Sequence, residues 1–491
     1  WGRAQAVALG AAFTGPDQLG AFRRCAAEQD NLVSALRWSA GHDDEPAAVD
    51  VAVALFHLWT VRGLHLEVAS WAGVLLHVED PLARRRSAVL RGRASGRPLP
   101  HADRLAWTLL FIGLNSGVVG EIRLFALSWR ALRGLLADRP GEVSARASAL
   151  ASALPAFGVT APEVITGAAE QLVADQDPFV QGYGLMLRAM MHENRGLPAE
   201  SAADAERAYR RFEAAGDHWG MGIAAQGLGE WYGSRGQAGA GEWLRLGERH
   251  LAAVGADQDV GSIRVLLDVQ LALAGDQDAQ QRLHAATAQT SDGRPADSAQ
   301  AHLGLAEVAW HQRRYDDAGE HAERAMALAD GASASIPQVR VVYRMAVAVL
   351  RLRVAVARPG ADQDAADQAD ARAEALLVAS RADALSSADI PVLGSWGLGG
   401  AALAAHRGDT VRARELWTLG LRLDANLVHL FQHGYGERLT VALGDEVDRE
   451  PLAAAWRDRP VTEAADRLRE LMAQLLGEVR PSSGTRAAPA A

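Results

Sequence analysis

The stretch Ala299–Asp330, AQAHLGLAEVAWHQRRYDDAGEHAERAMALAD, decides the fold class of this chain. Its centre, Arg313-Arg314-Tyr315-Asp316-Asp317-Ala318, is a polar break. Leu305, Ala306 and Ala309 precede the break, and Ala322, Ala325 and Ala329 follow it. Steps of three and four residues put these side chains on one face of each of two helices. Alanine is the strongest helix former and the smallest side chain that still packs, so the two helices can lie close together. The stretch predicts a helical hairpin. Trp396–Leu423 repeats the scheme, with Ala401, Ala404 and Ala405 before Arg407-Gly408-Asp409 and Ala413, Leu416 and Trp417 after it.

Working outward, similar breaks with a small residue fall at Arg62-Gly63, Ser116-Gly117, Phe157-Gly158, Arg195-Gly196, Arg235-Gly236 and Ala274-Gly275. From Gly117 through Gly158, Gly196 and Gly236 to Gly275 the steps are 41, 38, 40 and 39 residues. Further turns fit at Arg313-Arg314 and Arg358-Pro359-Gly360. A fixed period with a turn inside each unit is the mark of a helical-pair array. Small residues where two helices touch, with a bulky one closing the hairpin, resemble tetratricopeptide repeats. That resemblance implies an all-α, right-handed superhelical solenoid with a period of about 40 residues.

Composition agrees with helices and removes several chemistries. Apolar residues make up 49% and aromatics only 6% of the 491 residues, and period-two runs of Val, Ile and Thr are absent. Against 50 basic residues stand 60 acidic ones, net charge -10, so no basic face for nucleic acid is expected chain-wide. The basic residues are all Arg; without Lys there is neither a Walker A loop nor a Schiff-base amine. Cys25 is the sole cysteine, which excludes a disulfide framework and a thiolate zinc site and suits the cytoplasm. No apolar run approaches the roughly 18 residues that span a bilayer. The first residue is Trp1, so a longer polypeptide is expected.

Several patterns invite a sharper function and are explained more simply. Asp-Gln-Asp recurs at 175–177, 257–259, 276–278 and 362–364, where capping and turn formation account for the carboxylates. Arg84, Arg85, Arg86, Arg91, Arg93 and Arg97 read as a solvated loop or insertion, with a phosphate patch as the alternative. The fifteen histidines form no HExxH motif; His302, His311 and His321 are spread over one hairpin. Gly220-Met-Gly222 and Gly397-Leu-Gly399-Gly400 mimic dinucleotide fingerprints, but lie in helical patterns where glycine lets helices approach. No catalytic residue, cofactor site or metal site is expected within the chain. The surface that stacked hairpins create is a groove lined by each first helix. Counting back from the turns places Tyr183, Met190, Glu193, Asn194, Glu230, Glu307, Trp310, His311 and His406 there as candidate binding residues.

The opening residues carry the most specific signal. Gly15-Pro16-Asp17-Gln18 precedes Phe22-Arg23-Arg24, then Ala27-Glu28-Gln29-Asp30-Asn31-Leu32 and Ala35-Leu36-Arg37-Trp38. Leu55 to Trp59, Arg62-Gly63 and Trp71 follow, and Leu443-Gly444-Asp445, Ala455-Trp456-Arg457 and Val461-Thr462 close the chain. Together they resemble the C-terminal helical region of the AfsR/SARP-like actinobacterial regulators and related signal-transduction ATPases with numerous domains (STAND). The resemblance implies a sensor region that controls an upstream nucleotide-binding domain, with ATP or ADP held there and any DNA-binding domain also upstream. Partners implied are that domain, an unidentified peptide, protein or small-molecule effector, or a second copy of the chain; no direct nucleic acid and no membrane are expected. A stand-alone adaptor scaffolding two proteins is the alternative, and an enzyme with a helical cleft is a third. The expected organisation is an N-terminal helical region 1–80, an Arg-rich loop or insertion 81–103, the repeat array 104–440, capping helices 441–480 and a disordered tail 481–491.

Overall fold

The computed structural model describes residues 1–10, 12–80, 82, 99, 101–157, 162–234, 238–288, 295–331, 337–357, 363–386, 389–425 and 446–477. These residues form 23 α-helices and one short 3-10 turn, with no strand among them. The fold is all-α. Punctuation written in the sequence sets many helix starts. Five helices, Pro162–Val173, Pro178–Asn194, Pro198–Ala215, Pro295–His311 and Pro337–Ala357, begin on proline, whose fixed φ suits the first turn and whose missing N–H leaves no bond unmade there.

From Pro178 onward the helices come in pairs. The first helices of successive pairs begin at Pro178, His218, Asp257, Pro295 and Pro337, each about 40 residues after the last. Turn glycines adopt left-handed backbone at Gly63, Gly196, Gly275 and Gly408, as the breaks predict, and Arg313 does the same at φ 59. Gly117 does not: it lies inside the helix Ala102–Val118, and the left-handed residue is Gly120. The helix outruns the Ser116-Gly117 break because Asn115 and Ser116 are buried within it, Asn115 bonding the Phe111 carbonyl at 2.8 Å. Gly216 and Gly255 turn the chain between pairs, a second set of breaks interleaved with the first. Gly158, Gly236, the turn at 358–360, the six arginines between 84 and 97 and the tail 481–491 lie outside the described residues.

The chain divides into two compact units. One comprises Trp1–His192, Ala199–Gly233 and Ala238–Arg264; the other comprises Glu193–Pro198, Ser234–Gln237 and Val265–Ala491. Residues 1–80 lie in the first unit, and the stretch 104–440 is divided between both. In the first unit the helix Glu45–Val61 is buried apart from Glu45, Pro46 and Thr60, as a helix apolar on all sides must be. It packs on Gly2–Gly10, Gln29–Gly41, His65–Leu75 and Ala102–Val118. Asp50 at its middle is fully buried and holds two guanidinium groups, Arg3 at 2.7 Å and Arg104.

In the second unit the helix Ile390–His406 is buried from Pro391 to Ala405. Pro337–Ala357, Gln363–Ser386, Thr410–Arg422 and Val461–Leu475 surround it. Its glycines are there for approach. A Cβ at Gly397 would sit 2.4 Å from Leu468, and one at Gly400 would sit 2.2 Å from the Met472 sulfur. The fingerprint-like pattern is therefore a helix-packing face. Gly222 does the same against Leu251, 2.5 Å from where a Cβ would stand.

Candidate ligand-binding region

The nine residues placed on the expected groove divide between the units. Tyr183, Met190 and Glu230 belong to the first, and Glu193, Asn194, Glu307, Trp310, His311 and His406 to the second. Met190, Glu193, Glu230 and His311 are exposed, and Glu230 accepts a bond from Gln226 at 2.9 Å. Asn194 and His406 are half-buried; the His406 ring lies 3.3 Å from the Ala366 carbonyl. Tyr183, Glu307 and Trp310 are built into packed surroundings rather than open to solvent.

Glu307 and Trp310 share a partner that helical counting could not supply. Glu307 is 4% exposed and Trp310 8%, and the guanidinium of Arg353, itself 4% exposed, lies 4.3 Å over the Trp310 ring. Tyr315 also packs on the indole, tilted, with ring centroids 5.2 Å apart. Burial pushes the Glu307 carboxyl up to about 7, and the positive charge of Arg353 opposes that rise. A carboxyl, a guanidinium and an indole in one dry cluster can hold a proton or a charge near neutrality.

Histidines meet in pairs rather than in metal-binding groups. His302 and His321 place their Nδ1 atoms 2.9 Å apart, with the His284 ring 5.9 Å beyond His321. His218 and His250 approach at 3.0 Å, and the Tyr209 hydroxyl reaches His250 at 3.1 Å. Such a contact needs one nitrogen to donate and the other to accept, so both facing Nδ1 atoms cannot be protonated at once and the two rings cannot both be cationic. Burial, followed by the neighbouring imidazole, lowers His250 and His302 to about 4. His311, on the same hairpin as His302 and His321, is exposed. Among the described residues no three His, Cys, Asp or Glu side chains are placed to hold a metal ion.

The Asp-Gln-Asp runs serve helix starts where they are described. The Asp276 carboxylate accepts from the Ala279 amide at 3.0 Å, and Asp177 from Phe179 at 2.9 Å. Cys25 is buried, and burial pushes its thiol up to about 12, so it is not a nucleophile.

The opening motif holds the arrangement least visible from sequence. Gln18 is 3% exposed, and its amide nitrogen donates to the Phe13 carbonyl at 3.0 Å and to Asp217 at 2.8 Å. Its amide oxygen accepts from the His218 backbone at 2.7 Å. Asp217 also caps the helix His218–Ser234 through the Gly220 amide and takes the Tyr183 hydroxyl at 3.4 Å. Burial raises the Asp217 carboxyl, and the bonds from Gln18 and Gly220 hold it back. The motif thereby ties residues 200 positions apart within one unit. Asp217 and Arg353 are the residues that pattern reasoning passed over. Asp217 had a signal, a cap-type residue after Gly216; Arg353 had none. Comparison with protein-family models finds no match, and comparison with curated proteins finds none either.

Proposed function

We propose that this chain is the sensor and protein-interaction region of a STAND-type transcriptional regulator, stacked as a right-handed tetratricopeptide-like solenoid. The observation that carries the reading is the opening signature from Gly15 to Trp38, supported by helix pairs that recur about every 40 residues. The signature's Phe22, Leu32 and Leu36 are core residues, and its Gln18 is a buried clasp. The polypeptide's own nucleotide-binding domain, loaded with ATP or ADP, is the first partner, and the setting is cytoplasmic. The chain itself binds and does not catalyse. An effector would favour the released form by its differential affinity for the two forms and no more.

The test uses the parent gene in its own host with a reporter on a regulated promoter. Removing the segment that encodes residues 1–491 should leave the reporter constitutively on or permanently off. Unchanged, signal-dependent expression overturns the sensor reading, as does a reading frame upstream of Trp1 that encodes no nucleotide-binding domain.

A further inference from the structure

The helix His218–Ser234 of the first unit turns one face away from the core. Trp219, Ile223, Gln226, Gly227 and Glu230 share that face at steps of three and four residues, and none of them is buried. The helix Pro178–Asn194 lies beside it. Tyr183 stacks on Trp219 with ring centroids 6.3 Å apart, Leu185 shares a core with Met221 and Ala224, and Ala189 shares one with Leu228. The two helices thus run side by side in the same direction. That register sets Met190, 45% exposed, level with Gln226 and Gly227.

Two features of this stripe are not explained by packing. The first is a glycine. A Cβ at Gly220 would sit 2.5 Å from Phe212, and one at Gly229 would sit 2.6 Å from Leu244, so these glycines let neighbours approach. A Cβ at Gly227 would meet nothing within 4 Å. Glycine inside a helix is destabilising relative to alanine, and here it leaves exposed backbone bare where another chain can come close. The second feature is Glu230. Its carboxylate is exposed, and its bond is from the neutral Gln226 amide at 2.9 Å, with no cation paired to it among the described residues. Surrounding protein raises this carboxyl and the Gln226 bond opposes the rise, so Glu230 stands in a recess rather than on a ridge.

We propose that this face binds an extended peptide segment carrying an arginine or a lysine. From Trp219 to Glu230 the helix rises ~16 Å, which about five residues of extended chain cover. A strand laid along the stripe sets an apolar side chain against Trp219 and Met190 and passes its backbone over Gly227. Its basic side chain then reaches the Glu230 carboxylate and makes a charge-assisted bond. An acidic segment is repelled at the same point. The proposal names a class of partner for the protein-interaction reading above and rests on that reading for its biological use.

Fluorescence anisotropy of the whole chain with labelled Phe-Gly-Ser-Gly-Arg and its reverse, Arg-Gly-Ser-Gly-Phe, tests the proposal in both chain directions. The same peptides with Glu in place of Arg are the counterparts. Saturable binding of at least one basic peptide, and of neither acidic one, is expected. Glu230→Gln should weaken that binding by about fivefold to twentyfold. Gly227→Leu enters open space, so the helical circular dichroism spectrum should persist while binding is lost. Should G227L fail to fold, E230Q decides by itself. Binding of neither basic peptide, equal binding of basic and acidic peptides, an affinity untouched by E230Q, or a folded G227L that still binds overturns the proposal. Those outcomes leave the sensor reading to the deletion test above. Peptide binding in a host whose reporter ignores E230Q would count against the sensor reading and leave the site intact.

Discussion

At Glu307 one carboxyl is 4% exposed and shares its surroundings with the buried guanidinium of Arg353. Burial raises this carboxyl from 4.5 to about 7, the Arg353 charge opposing. The folded chain therefore keeps a proton there that the unfolded chain has already released, so the contribution to stability falls as pH rises from 4.5 to about 7. Glu307→Gln stays neutral throughout and should remove that fall. Relative to wild type, E307Q should gain on the order of 2–3 kcal/mol between pH 4.5 and pH 8, measured by urea unfolding at both. A wild-type-to-variant difference that is the same at the two pH values would refute this account. Glu307 was legible as a helix-face position, but its role was not, because Arg353 arrives from a different helix and no spacing predicts that meeting.

Individual helices are where the sequence speaks most directly. Prolines, cap residues and turn glycines act over three or four neighbouring residues, so their effect depends little on the rest of the fold. The Asp-Gln-Asp runs illustrate this. Asp276 caps Gln277–Thr287 through the Ala279 amide, whereas Asp278 lies in the first turn and meets the helix dipole. Asp276→Ala should destabilise the second unit by about 1 kcal/mol, and Asp278→Ala by only a few tenths. Chemical denaturation of both variants checks the ranking; equal effects would mean that the carboxylates act as a pair. The misplaced turn at Gly117 shows the limit of local signals. Burial of Asn115 and Ser116 carried that helix past its break to Gly120, and burial is a tertiary property.

On the scale of the molecule, each compact unit carries one imidazole pair among the described residues, His218 with His250 and His302 with His321. His250 and His302 are held down to about 4 by burial and then by their partner rings. The unfolded chain takes up protons on these rings near 6.5, before the folded chain does. The stability they supply is thus complete above pH 6.5 and is lost as pH falls toward 4. The thermal midpoint should drop over this window, and H250Q/H302Q, which cannot charge, should drop by a few degrees less. Parallel loss in variant and wild type, followed by scanning calorimetry, would exclude the pairs as the cause. The same acid window leaves Glu307 pulling the other way, so E307Q separates the two effects.

The sequence by itself determined that this chain is helical, that its helices pair at about 40 residues, and where most of them start and turn. Those properties follow from alanine content, apolar periodicity and short-range punctuation, which act within a few residues. Tertiary structure alone decided that Gln18 would lock onto Asp217 and His218 and that Arg353 would lie over Trp310. Those meetings depend on how whole helices pack, and packing is set by the summed burial of side chains far apart in the chain.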